Sequence, residues 1–303
     1  MVTNPSDAEA TERRKKLEKY FHPTPKESLR LTATALLAAG AAGLVLGLIL
    51  LNGQQFWAVV CWAAGVYALV RGFQRKSRYD AAYKKAEPKP TGKEMDRILA
   101  EDLRQIEERA MQRLGITPDH LEVGTQVWDP VAALLAGGPV ERGERRPLVL
   151  YGPKMSGFAI GDDDVWRFKE YEVMVICPTV HHLALYHCSL DFLTGGLSME
   201  DTEEYQYNHV VAVSTRTTPV PEEISLERLN TRREEGEEQE VRFARVLRRR
   251  LEVSVSNGQS MGVTVGISDE KDSARAARLQ STGIDEVTGS IRRVLRDHSQ
   301  PRA

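Results

Sequence analysis

The sequence predicts an α+β chain: a two-helix transmembrane hairpin near the N-terminus, then an antiparallel β domain sealed by a C-terminal helix. Three observations carry this. Leu31 to Leu51 contains no ionisable side chain, and Phe56 to Val70 repeats that character after the short Asn52–Gln55 connection. From Pro147 onward short β-rich runs alternate with turn residues. The described order closes with Ile284, Val287, Ile291, Val294 and Leu295 at helical spacing.

The hairpin comes first. An unpaired backbone amide or carbonyl in hydrocarbon costs several kcal/mol, so runs this apolar are stable there only as helices. A span needs about 20 residues. The first run supplies them, and the second does so by borrowing its connection or its Arg71–Phe73 end. A signal peptide has a shorter apolar core and lies nearer the start of a chain; here the polar segment 1–28 precedes the run. Gly40, Gly43 and Gly47 form a small-residue stripe that lets helix backbones approach. Its expected partner is the second span, where Ala58, Ala63, Ala64 and Gly65 are also small, with a homo-oligomer as the alternative use.

Orientation follows from charge. Arg13, Arg14, Lys15, Lys16, Lys19, Lys26 and Arg30 precede the hairpin, Arg71, Arg75, Lys76, Arg78, Lys84 and Lys85 follow it, and the connection is uncharged. The positive-inside rule then predicts a multi-pass protein of the plasma (inner) membrane with both termini cytoplasmic. Arg71, Arg75, Lys76 and Arg78 are also candidate lipid contacts, and Tyr20 and Phe21 candidate interface anchors.

The predicted divisions are a polar segment 1–28, the hairpin 29–73, a basic linker 74–93, an amphipathic helix with its connection 94–147, and a domain 148–298 with a surface insert 215–239. Ala86-Glu-Pro-Lys-Pro90 stops the second span's helix. Thr91 or a neighbour then caps a helix from about Gly92 to Leu114, with Met95, Ile98, Leu99, Leu103, Ile106, Ala110 and Leu114 on one face and Gly115 ending it. That face docks on its own domain or forms a coiled-coil seam; Glu101, Arg104, Glu107 and Glu108 are expected opposite it. Tyr171–Cys177 and Leu183–Phe192 read as a hairpin across Pro-Thr-Val-His-His. Glu204–Tyr207 and Val210–Ser214 are further extended pieces. Leu251–Ser256 and Met261–Val265 flank Asn257-Gly258, a strong hairpin signal because both residues tolerate positive φ.

This order resembles the bacterial pleckstrin-homology-like (PH-like) domains of small membrane proteins. The residues that carry it are the strand ending near Leu190-Asp-Phe-Leu-Thr-Gly195, the strand with Tyr205, Tyr207, Val210, Val211 and Val213, the pair around Asn257-Gly258, and the terminal helix. The resemblance covers roughly 148–298 and implies a bent, barrel-like antiparallel sheet with a helix plugging one end. The long 215–239 insert and residues 94–147 depart from that pattern.

Chemistry is sparse. Lys plus Arg number 41 against 43 Asp plus Glu, so nothing marks a nucleic-acid protein. Three cysteines, one of them Cys61 within the second span, make no disulfide framework. Cys177, His181, His182, His187 and Cys188 are the one group with zinc-ligand chemistry, and Cys177, His187 and Cys188 are the metal candidates. Successive strand residues face opposite ways, which sets His187 against Cys188. Gly152-Pro-Lys-Met-Ser-Gly157 lacks the Gly-Lys-Ser/Thr ending of a phosphate loop and reads as a plain loop. Asp162–Asp164 reads as a solvated turn. Arg248, Arg249 and Arg250 are candidate contacts for lipid or an acidic partner. With no coherent acid, base and nucleophile set and no cofactor motif, the expectation is a non-enzymatic, membrane-tethered scaffold that binds a protein partner; the alternative is a sensor acting through the hairpin.

Overall fold

The structure, a computed structural model, describes residues 7–50, 55–122, 145–161, 163, 165–219, 246–269 and 284–299. The chain forms two compact units: Glu18–Lys89, and the segments on either side of it, Met1–Leu17 with Pro90–Ala303.

The smaller unit is the helical hairpin, α2 (Glu27–Leu50) and α3 (Gln55–Ala86). Both helices are long and apolar enough to cross a membrane. They pack antiparallel through the small residues. A Cβ on Gly43 would stand 3.2 Å from the Gly65 Cα, and one on Gly40 2.9 Å from the Gly65 carbonyl oxygen. A Cβ on Gly47 would overlap the Trp62 ring, and Gly72 lies over Leu37. The glycine stripe is therefore filled by α3 of the same chain. The side chains left outward are apolar: Val45, Leu46, Leu48, Ile49, Phe56, Trp57, Val59, Val66 and Val70 are all exposed. α3 continues through most of the expected linker and stops at Ala86 before Pro88. Tyr20 is buried in a short 3-10 turn, Lys19–Phe21, that packs beside α3, so it is no interface anchor.

The larger unit opens with a helix the sequence reading missed, α1 (Asp7–Glu18). α4 (Gly92–Leu114) has the anticipated limits: Thr91 Oγ1 accepts the Glu94 N–H at 3.3 Å, and Gly115 adopts φ +64°. Its buried stripe of Met95, Leu99, Leu103, Ile106 and Ala110 docks on the sheet of its own domain. Glu107, expected on the solvent side, is buried and reaches Arg146.

Among the described residues seven antiparallel strands follow in two sheets. The first holds β1 (Leu148–Ile160), β2 (Trp166–Pro178), β3 (His182–Asp191) and β4 (Gly196–Gln206) in that order; the second holds β5 (Val210–Pro219), β6 (Val246–Val255) and β7 (Ser260–Asp269). Among the described residues the sheets do not close into a barrel. β1 runs through Gly152–Gly157, so that segment is strand with a bulge between Lys154 and Phe158, not a loop. β5 takes in residues 215–219 of the expected insert; residues 220–239 of it, the patch Val131–Leu135, and Asp162 and Asp164 lie outside the described residues. Asn257-Gly258 forms its turn with Gly258 at φ +86°.

α5 (Ile284–Ser299) completes the core. Ile284, Val287 and Ile291 cluster with Leu148, Leu150, Met174, Ile176, Leu183 and Leu185 of the first sheet and with Leu251, Val253, Val255, Met261, Val263 and Val265 of the second. The sheets meet where β7 passes β1. There a Cβ on Gly152 would overlap the Thr264 carbonyl, so only glycine admits the crossing.

Candidate functional site

Strand register sorts the first sheet into two faces. Paired residues of antiparallel strands share a face, and the inner face reads in rows across β1 to β4. The row Leu148, Ile176, Leu185 ends on Glu203; the row Leu150, Met174, His187 ends on Asp201. Beyond the crossing, the row Gly152, Glu172, Ser189 is mostly polar. The apolar inner face thus gives way to a polar corner on β3, β4 and the far end of β2.

Groups from several elements meet at this corner. Lys154 Nζ donates to Ser189 Oγ at 2.6 Å. Glu172 Oε2 accepts the Thr264 N–H at 3.0 Å, replacing a missing ladder partner at the sheet crossing, and lies 4.0 Å from Arg250. His187 Nε2 and Glu203 Oε2 are buried atoms with no hydrogen-bond partner among the described residues; Tyr205 Oη is another such atom, but it lies opposite Leu183 in the core, away from this corner. Burial lowers the His187 pKa from its ordinary value, against the pull of Glu172 and Asp201. Burial raises the Glu203 carboxyl, and the Asp201 charge adds to this. The corner therefore offers a neutral imidazole and a protonation-prone carboxyl among fixed charges of both signs.

The outer face is tied to helices by arginines. Arg167, 1% exposed on its side chain, binds Asp96 of α4 at 2.8 Å and Asp163 at 2.7 Å. Its guanidinium holds the Asp163 carboxyl below the usual range. Arg109 of α4 makes two hydrogen bonds to Glu200, at 2.7 and 2.8 Å, and Tyr186 Oη donates to the same carboxylate at 2.7 Å. The Arg109 hydrogen bonds lower the Glu200 pKa. A bulge in β4 aims Glu200 there, and Met199 within it takes φ +52°. Finally Arg13 of α1 grips Asp102 of α4 at 2.5 and 2.8 Å, donates to the Phe192 carbonyl at 2.8 Å and lies over the Phe192 ring. Burial nonetheless keeps the Asp102 carboxyl above its ordinary pKa, with Arg13 opposing the shift.

The metal candidates are not brought together. Cys188 pairs with Val173 and Cys177 with Ala184, which puts both cysteines on the outer face, whereas His187 pairs with Met174 on the inner one. Both thiols are buried, and burial pushes each up to about 12, so neither is a ready thiolate ligand. Among the described residues no group of three or more His, Cys, Asp or Glu converges on a point a metal could occupy. The Arg248–Arg250 strip is also divided: Arg249 pairs with Asp285 at the start of α5 and Arg250 reaches Glu172. Arg248 remains as a half-buried strand residue. Arg71, Arg75, Lys76 and Arg78 are exposed on α3, where Arg71 Nε donates to Tyr67 Oη at 3.2 Å. Ala64 is exposed on the hairpin, outside the packed stripe.

Sequence reasoning missed the polar corner and the Arg13 grip. The period-two pattern of β2 and β3 could have shown the first, since Glu172, Met174 and Ile176 with Leu183, Leu185, His187 and Ser189 share one face. No signal marked Arg13 among its basic neighbours. No protein family, curated protein or solved structure matches the chain.

Proposed function

We propose that this is a membrane-tethered scaffold: the hairpin spans the inner membrane and confines a cytoplasmic PH-like domain, which holds a protein partner at the bilayer surface. The observation that carries the reading is the Arg13–Asp102 pair. It unites, in one compact unit, a residue before the hairpin and a residue after it. Two spans return the chain to the side it left, so the pair favours an even number of crossings. A cleaved leader would strand Asp102, 5% exposed, without its counter-ion.

Further support is physical. Outward Leu, Val, Ile, Phe and Trp side chains on both hairpin helices are costly in water and favourable in lipid. Antiparallel sheets of four and three strands with a helix in their core are the coarse part of what the resemblance implies; the closed barrel is not formed among the described residues. Tethering raises the effective concentration of the domain for membrane-located partners without any tighter contact. The surface for that partner is the exposed length of β5, an edge strand of its sheet with Val211 63% exposed. Photo-crosslinking from a probe at the exposed Thr215 of β5 in intact cells, with the full chain, tests this. A discrete adduct lost on Val211→Glu, in a protein still resistant to alkaline carbonate, supports the reading. A crosslink pattern that Val211→Glu leaves unchanged, or no adduct at all, would overturn it.

A further inference from the structure

The packing of α2 on α3 also measures how deep the hairpin can sit. Gly72 lies over Leu37, Gly65 over Gly40 and Gly43, and Ala58 beside Gly47. These contacts fix the stagger of the two helices along their common axis. On α2 the uncharged stretch begins at Leu31, where Leu29 and Leu31 are exposed and Thr32 and Thr34 return their hydroxyls to carbonyls of their own helix. On α3 it ends at Arg71, beside the level of Leu37. The two helices therefore place the inner edge of the hydrocarbon about 9 Å apart, at 1.5 Å per residue.

The outer edge admits no such slack. α2 ends at Leu50 and α3 begins at Gln55, with Phe56 and Trp57 exposed. From that end to the level of Leu37 and Arg71, the depth apolar on both helices is about 20 Å. A typical hydrocarbon core is about 30 Å thick. Sinking the hairpin to fit would carry Arg71, then Arg75 and Lys76, into lipid, and all three are exposed on α3 rather than turned toward α2. In the structure the Arg71 guanidinium turns back to Tyr67, one turn deeper along α3, rather than extending toward the inner edge. Basic side chains at that depth draw phosphates and water toward themselves, which thins the bilayer locally.

We infer that the hairpin is a receptor for thin bilayer: it seats where the hydrocarbon layer is thinner than average, or thins it, with lipid phosphates drawn to the level of Arg71 and Arg75. This deepens the membrane reading and rests on it. The consequence is sorting by thickness, since mismatch costs fractions of a kcal/mol per Å. α2 alone would fit an average membrane; its pairing with α3 sets the limit.

The test reconstitutes the full chain into mixed phosphatidylcholine vesicles in which either the short-chain or the long-chain lipid is brominated. Trp57 and Trp62 lie in the hairpin and report contact through quenching. The expected result is several-fold preference for the short-chain lipid, falling towards parity in Arg71→Leu/Arg75→Leu, whose apolar surface is deeper. Equal quenching by both lipids in the unaltered chain overturns the inference while leaving the span intact, as does a preference the double variant keeps. Absence of quenching by either lipid, together with release by alkaline carbonate, overturns the membrane reading itself.

Discussion

The hairpin and the sheet domain use the same device to opposite ends. In each, one glycine lets two backbones touch: Gly65 against Gly43 between the helices, Gly152 against Thr264 between the sheets. Around Gly65 the large apolar side chains point outward. Around Gly152 they point inward, and the outer face of the first sheet is closed by α4 through arginine–carboxylate pairs. Close approach of backbones is thus indifferent to solvent; the direction of the side chains decides which medium each unit requires.

Substituting those two glycines breaks the comparison most severely. Gly152→Val should cost more than about 4 kcal/mol and unfold the sheet domain, because the clash is with backbone that cannot rotate away. Protease resistance of the domain should vanish while the hairpin stays in the membrane. Gly43→Leu should do the reverse, parting α2 from α3 and leaving the domain's urea midpoint unchanged.

Next in size is the Arg13 grip. Arg13→Met should cost about 3 kcal/mol, since it leaves Asp102 buried without its partner. Arg13→Met with Asp102→Leu should recover most of that loss, because the cost lies in the uncompensated charge and not in the missing pair. A double variant as unstable as the single would show that Arg13 acts by shape alone. Chemical denaturation of the detergent-solubilised chain measures both.

The polar corner should appear as pH dependence. The folded pKa of His187 lies below its ordinary 6.5, so the unfolded chain takes up a proton first as pH falls. Its share of stability is whole above about pH 6.5 and is lost as pH drops towards the folded value, by at most about 1.4 kcal/mol per pH unit for one proton. Glu203 acts in the opposite sense. Its folded pKa is raised from 4.5, so its contribution is present below that value and fades as pH climbs through the folded one. His187→Gln should remove the first slope and keep the second.

The smallest effect is a gain. Met199→Gly should leave stability unchanged or raise it by about 0.5–1 kcal/mol, because glycine occupies φ +52° without strain. A loss would mean that the exposed Met199 side chain packs on something.

How much of this could be read from the residues depended on whether the signal was local. Thr91, Gly115 and Asn257-Gly258 act within a few positions of themselves, so the limits of α4 and the β6–β7 turn were legible. The hairpin was legible because length and the lack of charge suffice. α1 was not: its apolar residues are few and scattered (Ala8, Ala10 and Leu17), and Arg13 holds it to residues far along the chain. β4 was extended only in part because Glu200, Asp201, Glu203 and Glu204 mask its alternation. The polar corner depends on register across four strands and a crossing of two sheets. Cys177, His187 and Cys188 stood as metal candidates by residue type, and the strand alternation already readable in the sequence is what separates His187 from the cysteines.

The proposed function depends on the Arg13 and Asp102 segments lying on the same side of a membrane. The direct measurement joins Lys16→Cys and Glu94→Cys, accessible side chains that meet at 2.5 Å beside the Arg13 grip, in a chain with Cys61, Cys177 and Cys188 replaced, and treats sealed native membranes with a short bis-maleimide. The account predicts an intrachain crosslink at both positions in the membrane-embedded protein, and labelling of both by an impermeant maleimide from the same side. Labelling of the two positions from opposite sides, with no crosslink, would contradict it.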